Sequence, residues 1–130
     1  RIFDTMNRAP IHTFQVLTKR AERLAQLAPD LQWGSNIWMG VSIENQDTIF
    51  RADYLKQTDA HVKFISAESP LPNLDLQGID WLIVGGESGP GSRPMLEEWV
   101  MELKSKCEES GTAFFFKQWG GPTRNGLDRF

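Results

Sequence analysis

Ile37-Trp38-Met39-Gly40-Val41-Ser42-Ile43-Glu44-Asn45 places Met39, Val41 and Ile43 at alternate positions and fills the gaps with Gly40, Ser42 and Glu44. Side chains of a strand alternate between its two faces. The stretch therefore predicts a strand with one apolar face suited to packing under helices. Its other face is small and polar and ends in a carboxylate.

Four further apolar stretches run in the same way into small or charged residues: Thr13 to Lys19, His61 to Ser69, Ile79 to Ser88 and Ala113 to Trp119. Between most of them lies a segment of helical period. Arg20 to Ala28 sets Ala21, Leu24, Leu27 and Ala28 on one face, and Ile49, Ala52 and Leu55 mark a second helix that Asn45 or Asp47 can cap. A third is expected to start at Pro94, to carry Leu96, Trp99, Val100, Leu103 and Cys107 as its buried stripe, and to stop at Gly111. Pro70, Pro72, Asn73 and Asp75 instead mark an irregular connection. The order β-α-β-α-β-loop-β-α-β belongs to an α/β fold with a parallel five-stranded sheet and flanking helices. Five such units are a partial (β/α) barrel, since a complete one takes ~250 residues. Residues 1–130 are expected to form this single domain, with 121–130 an irregular tail.

Ligands of parallel sheets bind outside the carboxyl ends of the strands. Alternation puts Phe64, Ser66 and Glu68 on one face, as it does Ile83, Gly85 and Glu87, and Gln15, Leu17 and Lys19. Three glutamates, Glu44, Glu68 and Glu87, are therefore expected to converge, and clustered carboxylates call for a cation. Lys117 is assigned to that role, facing inward with Trp119. The expected mouth comprises Lys19, Glu44, Glu68, Glu87 and Lys117, with Ser42, Ser66, Gln118 and Trp119 close by. Gly85-Gly86-Glu87-Ser88-Gly89-Pro90-Gly91 follows a strand and allows close backbone approach by a ligand. It lacks the spacing of a dinucleotide fingerprint or a P-loop. Ribose hydroxyls, an ammonium or a metal suit Glu87, with Arg93 free to meet an anionic group.

A net charge of −3 with no Lys/Arg stripe gives nucleic acid no support as a partner. The single cysteine, Cys107, cannot form an internal disulfide or hold a metal alone, and it reads as a small core residue in a cytoplasmic protein. No metal ligands are assigned. No apolar run reaches the ~18 residues of a membrane span. Arg1 to Met6 looks like a helix entered partway, with Ile2, Phe3 and Met6 on one face, and the amino terminus reads as a cut. His12 and His61 precede strands, so both are expected at the end of the sheet opposite the mouth.

The strings TFQVLTKRAERLA (13–25), IWMGVSIENQ (37–46), WLIVGGESGPGSRPM (81–95) and FFFKQWGG (114–121) resemble a family of uncharacterised phage-associated and bacterial proteins related to the radical S-adenosylmethionine enzymes. The likeness is to the family's carboxyl-terminal part. It implies an upstream portion with a three-cysteine motif for a 4Fe–4S cluster, absent here, and S-adenosylmethionine lying across the strand ends. On that likeness Glu44, Asn45, Glu68, Glu87, Ser88, Lys117 and Gln118 would meet polar groups of cofactor or substrate, and Lys19, Ser42, Ser66, Gly85 and Gly86 complete the candidate set. The chain alone is expected to bind no cofactor cluster and to be inactive in reductive cleavage. A complementing amino-terminal half, or a second copy paired through a sheet edge, is the expected partner. Two other readings compete: a barrel hydrolase using two of the three glutamates, and a non-enzymatic interaction module.

Overall fold

The computed structural model describes residues 1–121. Helix α1 (Ile2–Asn7) is followed by β1 (Phe14–Thr18), α2 (Ala21–Leu27), β2 (Ile37–Ile43), α3 (Phe50–Lys56), β3 (Val62–Ala67), β4 (Trp81–Gly85), α4 (Glu97–Ser110) and β5 (Ala113–Gln118). Short 3-10 turns at Ala28–Asp30 and Gln46–Thr48 extend α2 and lead into α3. All five strands are parallel and lie in chain order across the sheet. That order is what successive right-handed βα units generate along a barrel wall. The expected tail at 121–130 lies, apart from Gly121, outside the described residues.

The helices cover one face. Met39, Val41, Ile43, Ile65, Ala67, Leu82 and Val84 form its buried sheet layer, and Ala21, Leu24, Ala52, Leu55, Val100, Leu103 and Cys107 pack on it from the helices. Where the fourth unit lacks a helix, Leu71, Leu74, Leu76 and Ile79 fill the same layer from the irregular connection. Lys106 of α4 holds that connection by donating to the carbonyls of Leu71, Pro72 and Leu74. These bonds satisfy backbone acceptors that an irregular segment would otherwise leave unpaired.

Leu27 and Ile2 share faces with buried residues but are themselves exposed. Helix α4 begins at Glu97, not Pro94, because Met95 is drawn into the core and leaves Leu96 extended and exposed as the N-cap residue. Gly111 does end α4, at φ 71°, and the Thr112 amide returns to the Cys107 carbonyl.

Burial, with a contribution from the charge of Glu108, pushes the Cys107 thiol up to about 11. With one cysteine in the chain, alkylation is a direct probe of this packing. Iodoacetamide at neutral pH should leave the native protein unmodified and label it once in denaturant, as read by intact mass. Labelling of the folded protein at the rate of a free thiol would contradict the burial of α4.

Among the described residues the opposite face carries no helix. Its amino-terminal half is plugged by aromatic rings: Phe64 lies 5.4 Å from Trp81, and Trp38 meets Trp81 edge-on at 5.8 Å. Gly40 makes this possible, because the Phe64 ring occupies the space that a Cβ there would need. Above the plug, Ser42 sits opposite Ser66 in the register. Leu17 on β1 and Phe115 on β5, at the two sheet edges, are 52% and 51% exposed.

Candidate functional site

Over the first four strands simple alternation describes the uncovered face. Gln15, Leu17, Phe64, Ser66, Ile83 and Lys117 line a cavity of about 410 Å³ on it. The fifth strand departs from that pattern. Val84 is paired with Phe116 but Gly85 with Gln118, so Lys117 is an extra residue in a β-bulge. A bulge sets two consecutive side chains toward one face. Lys117 and Gln118 both approach the open side of Gly85, and Trp119 is turned back onto the helix-side core beside Phe116 at 4.8 Å. The assignment of Trp119 to the mouth is thereby corrected, while Gln118 lies beside it. The Gln118 amide donates to the Gly86 carbonyl and the Ser88 hydroxyl, both at 3.1 Å.

The glutamates reach the carboxyl-end rim, but each has a different environment. Glu44 bonds Lys19 and Arg51, both at 2.8 Å. Arg51, from the first turn of α3, also donates to the Ser42 carbonyl at 2.7 Å. Burial alone would favour the neutral acid, but Lys19 and Arg51 outweigh it and hold the Glu44 carboxyl below its ordinary 4.5. The bond to Glu44 correspondingly raises the Lys19 ammonium above 10.5, with the Glu68 charge adding to it. Glu87 is paired with Arg93, whose other arm donates to the Glu44 carbonyl at 2.8 Å. Arg93 thus ties the glycine-rich loop to the end of β2. Glu68 makes no ion pair among the described residues, and its amide bonds the Ile43 carbonyl.

Among the described residues no three of His, Cys, Asp and Glu gather as a metal site. Lys117 does not neutralise the glutamates, since it is exposed and has no ion pair among those residues. Lys19 and Arg51 supply the cations for Glu44, and Arg93 supplies the one for Glu87. Arg51 was not foreseen because it lies on a helix, outside the strand parity that located the rest.

The Asn45 side chain faces the Thr48 amide as in a capping box, but that amide bonds the Asn45 main-chain carbonyl at 3.1 Å instead. The Thr48 hydroxyl accepts from the Glu44 and Asn45 amides, while Asn45 Oδ1 is buried without a hydrogen-bond partner. Farther along the rim Gly86 and Gly120 cross in close backbone contact. The Gly86 amide donates to the Gln118 carbonyl at 2.8 Å and the Gly121 amide to the Glu87 carbonyl at 2.8 Å.

A family model described as a protein of unknown function, DUF5131, matches residues 1–129. The chain belongs to the DUF5131 family. No curated protein and no solved structure matches it. The match spans both the helix-covered core and the rim, so the site residues described above all fall within the family's domain. No helix of the described residues is long and apolar enough to cross a membrane.

The donors of this domain do not fit an iron–sulfur cluster. Its one cysteine is buried in α4 with its thiol pushed up, on the helix side of the sheet, and such a cluster needs several accessible thiolates. The rim residues do fit a polar organic molecule. Its glycine-rich loop offers backbone at close range, and Glu87, Arg93, Ser88 and Gln118 offer charge and hydrogen bonds of both signs.

Proposed function

We propose that this chain is the ligand-contacting wall of a barrel-type enzyme related to the radical S-adenosylmethionine enzymes, with S-adenosylmethionine lying across the carboxyl ends of β2, β3 and β4. The observation that carries the reading is the one-sided sheet. Helices cover one face, and the other is lined by Gln15, Ser66 and Lys117 and opens onto the rim joined by Arg93. In barrels that face is the interior and that rim the active site. The motif resemblance supplies the cofactor class, and the phage-associated setting belongs to the same proposal.

On this reading the Glu87 carboxylate, one oxygen of which Arg93 already engages, accepts from ribose hydroxyls or the ammonium of the methionyl group through the other, and Ser66, Ser88 and Gln118 complete the polar contacts. The cofactor supplies the reactive carbon–sulfur bond; these residues bind and orient it. The cluster ligands would come from other polypeptide, a complementing half pairing at the open edges β1 or β5, where Leu17 and Phe115 are exposed. A second copy could use the same edges.

A hydrolase acting through paired glutamates has less support. Such chemistry needs one carboxyl held protonated. Glu44 is pushed the opposite way by Lys19 and Arg51, and Glu87 is locked to Arg93, which leaves Glu68 without a partner acid.

Calorimetric titration of S-adenosylmethionine into the chain tests the proposal. Binding is expected, weakened about tenfold or more by Glu87→Ala, the loss of one charge-assisted contact. Absence of binding at millimolar cofactor, or binding that Glu87→Ala leaves unchanged, would remove this assignment.

A further inference from the structure

Beside the rim, between the ends of β2 and β3 and the approach to α4, lies a separate cavity of about 480 Å³ lined by Asn45, Asp47, Glu68, Ser69, Arg93 and Trp99. Its size is that of a small-molecule pocket. Its polar groups are unevenly satisfied. Arg93 is already matched by the Glu87 carboxylate and the Glu44 carbonyl. Glu68 makes no ion pair among the described residues, and Asp47 adds a second negative charge. Asn45 Oδ1 and Ser69 Oγ are shielded from solvent and have no hydrogen-bond partner.

A buried acceptor left without a partner costs about 1–3 kcal/mol, so native proteins rarely leave two beside one cavity unless something completes them. What is unmet here is the Asn45 acceptor, the Ser69 hydroxyl, which can accept or donate, and negative charge. The missing occupant must therefore bring N–H donors and positive charge. The lining also includes Trp99, Pro70 and Pro94, and a cation gains most against an aromatic ring when it can lie flat on it.

An alkylammonium meets the charge but presents its donors around a point. A guanidinium is planar, carries five donors in a fixed fork, and stacks on aromatic faces. We propose that this cavity binds a small alkylguanidine, with Glu68 as its charge partner, Asn45 Oδ1 and Ser69 Oγ as further acceptors, and Trp99 as the stacking wall. The inference goes beyond the cofactor reading and does not depend on it.

The test is calorimetric titration of the chain with agmatine, with putrescine, which replaces the guanidinium by an ammonium, and with the neutral urea analogue of agmatine. Agmatine should bind, putrescine about tenfold more weakly, and the urea analogue not measurably. Glu68→Gln keeps the shape and removes the charge. It should weaken agmatine about tenfold or more while leaving the circular dichroism spectrum unchanged. Ser69→Ala should weaken it less. Failure of agmatine to bind at millimolar concentration, equal binding of putrescine or of the urea analogue, or undiminished binding by a folded Glu68→Gln protein would each overturn the proposal. S-adenosylmethionine titrated into the same samples keeps the two readings apart. Agmatine binding without cofactor binding leaves this inference standing and removes the other.

Discussion

Replacing Gly86 with alanine should destabilise the chain by about 3 kcal/mol or more, lowering its melting temperature on the order of 10 °C. A Cβ at this position would fall within the van der Waals envelope of the Trp119 carbonyl, and the same crossing sets Gly120 against the backbone of Glu87. Both obstacles are main chain, so no rotamer change relieves them. Moving the strands apart would break the Gly86 amide bond to Gln118 and the Gly121 bond to Glu87, both 2.8 Å, and with them the parallel bridge between Ser88 and Gly121. Gly89 provides the matched control. Its φ of 102° strains any other residue, but no atom lies within 4 Å of the place a Cβ would take, so Gly89→Ala should cost only about 1–2 kcal/mol. Thermal melts of the two variants by circular dichroism decide the matter. Equal losses would mean that conformation, rather than the crossing of the two backbones, explains the glycine at 86.

The same crossing shows where sequence reading stops. Alternation located Gln15, Leu17, Phe64, Ser66 and Ile83 on one face because β1 to β4 run without interruption, and one period-two pattern then holds from end to end. It misplaced Trp119 because Lys117 is looped out, which shifts every later residue by half a period. The signal for that bulge lies on the neighbouring strand, in Gly85-Gly86, and pairing of remote segments is invisible to local pattern. The charge balance was legible only in part. Lys19, which alternation places at the mouth, does pair with Glu44, but the other cations come from elsewhere in the fold: Arg51 from a helix and Arg93 from a loop. Arg93 was recognised as available to an anion; that the anion is Glu87 required the loop to fold back. The helix-side core was easier to read, since Val100, Leu103 and Cys107 follow from helical spacing alone, and only the start of α4 was displaced, by the burial of Met95.

Glu44→Ala should cost about 2–3 kcal/mol, far more than removal of its surface partner Lys19. The difference rests on Arg51. Its side chain is 15% exposed and that of Glu44 18%, while Lys19 is 65% exposed. Deleting Glu44 leaves a guanidinium enclosed with the Ser42 carbonyl as its remaining acceptor and with Nε already unpartnered. A half-buried charge without its counterion is the costly case, whereas Lys19 can return to water. Two further measurements separate this from general damage at the position. In a double-mutant cycle, Arg51→Met added to Glu44→Ala should recover more than half of the loss, because the stranded charge has gone. The second is acid sensitivity. The folded state holds the Glu44 carboxyl below its unfolded value, so its contribution is complete above the unfolded value and fades as pH falls through the lowered folded one. Urea midpoints taken across that acid range should therefore fall more steeply for the parent chain than for Glu44→Ala. Parallel slopes, or a double variant no more stable than Glu44→Ala, would show that Glu44 and Arg51 do not act as a pair.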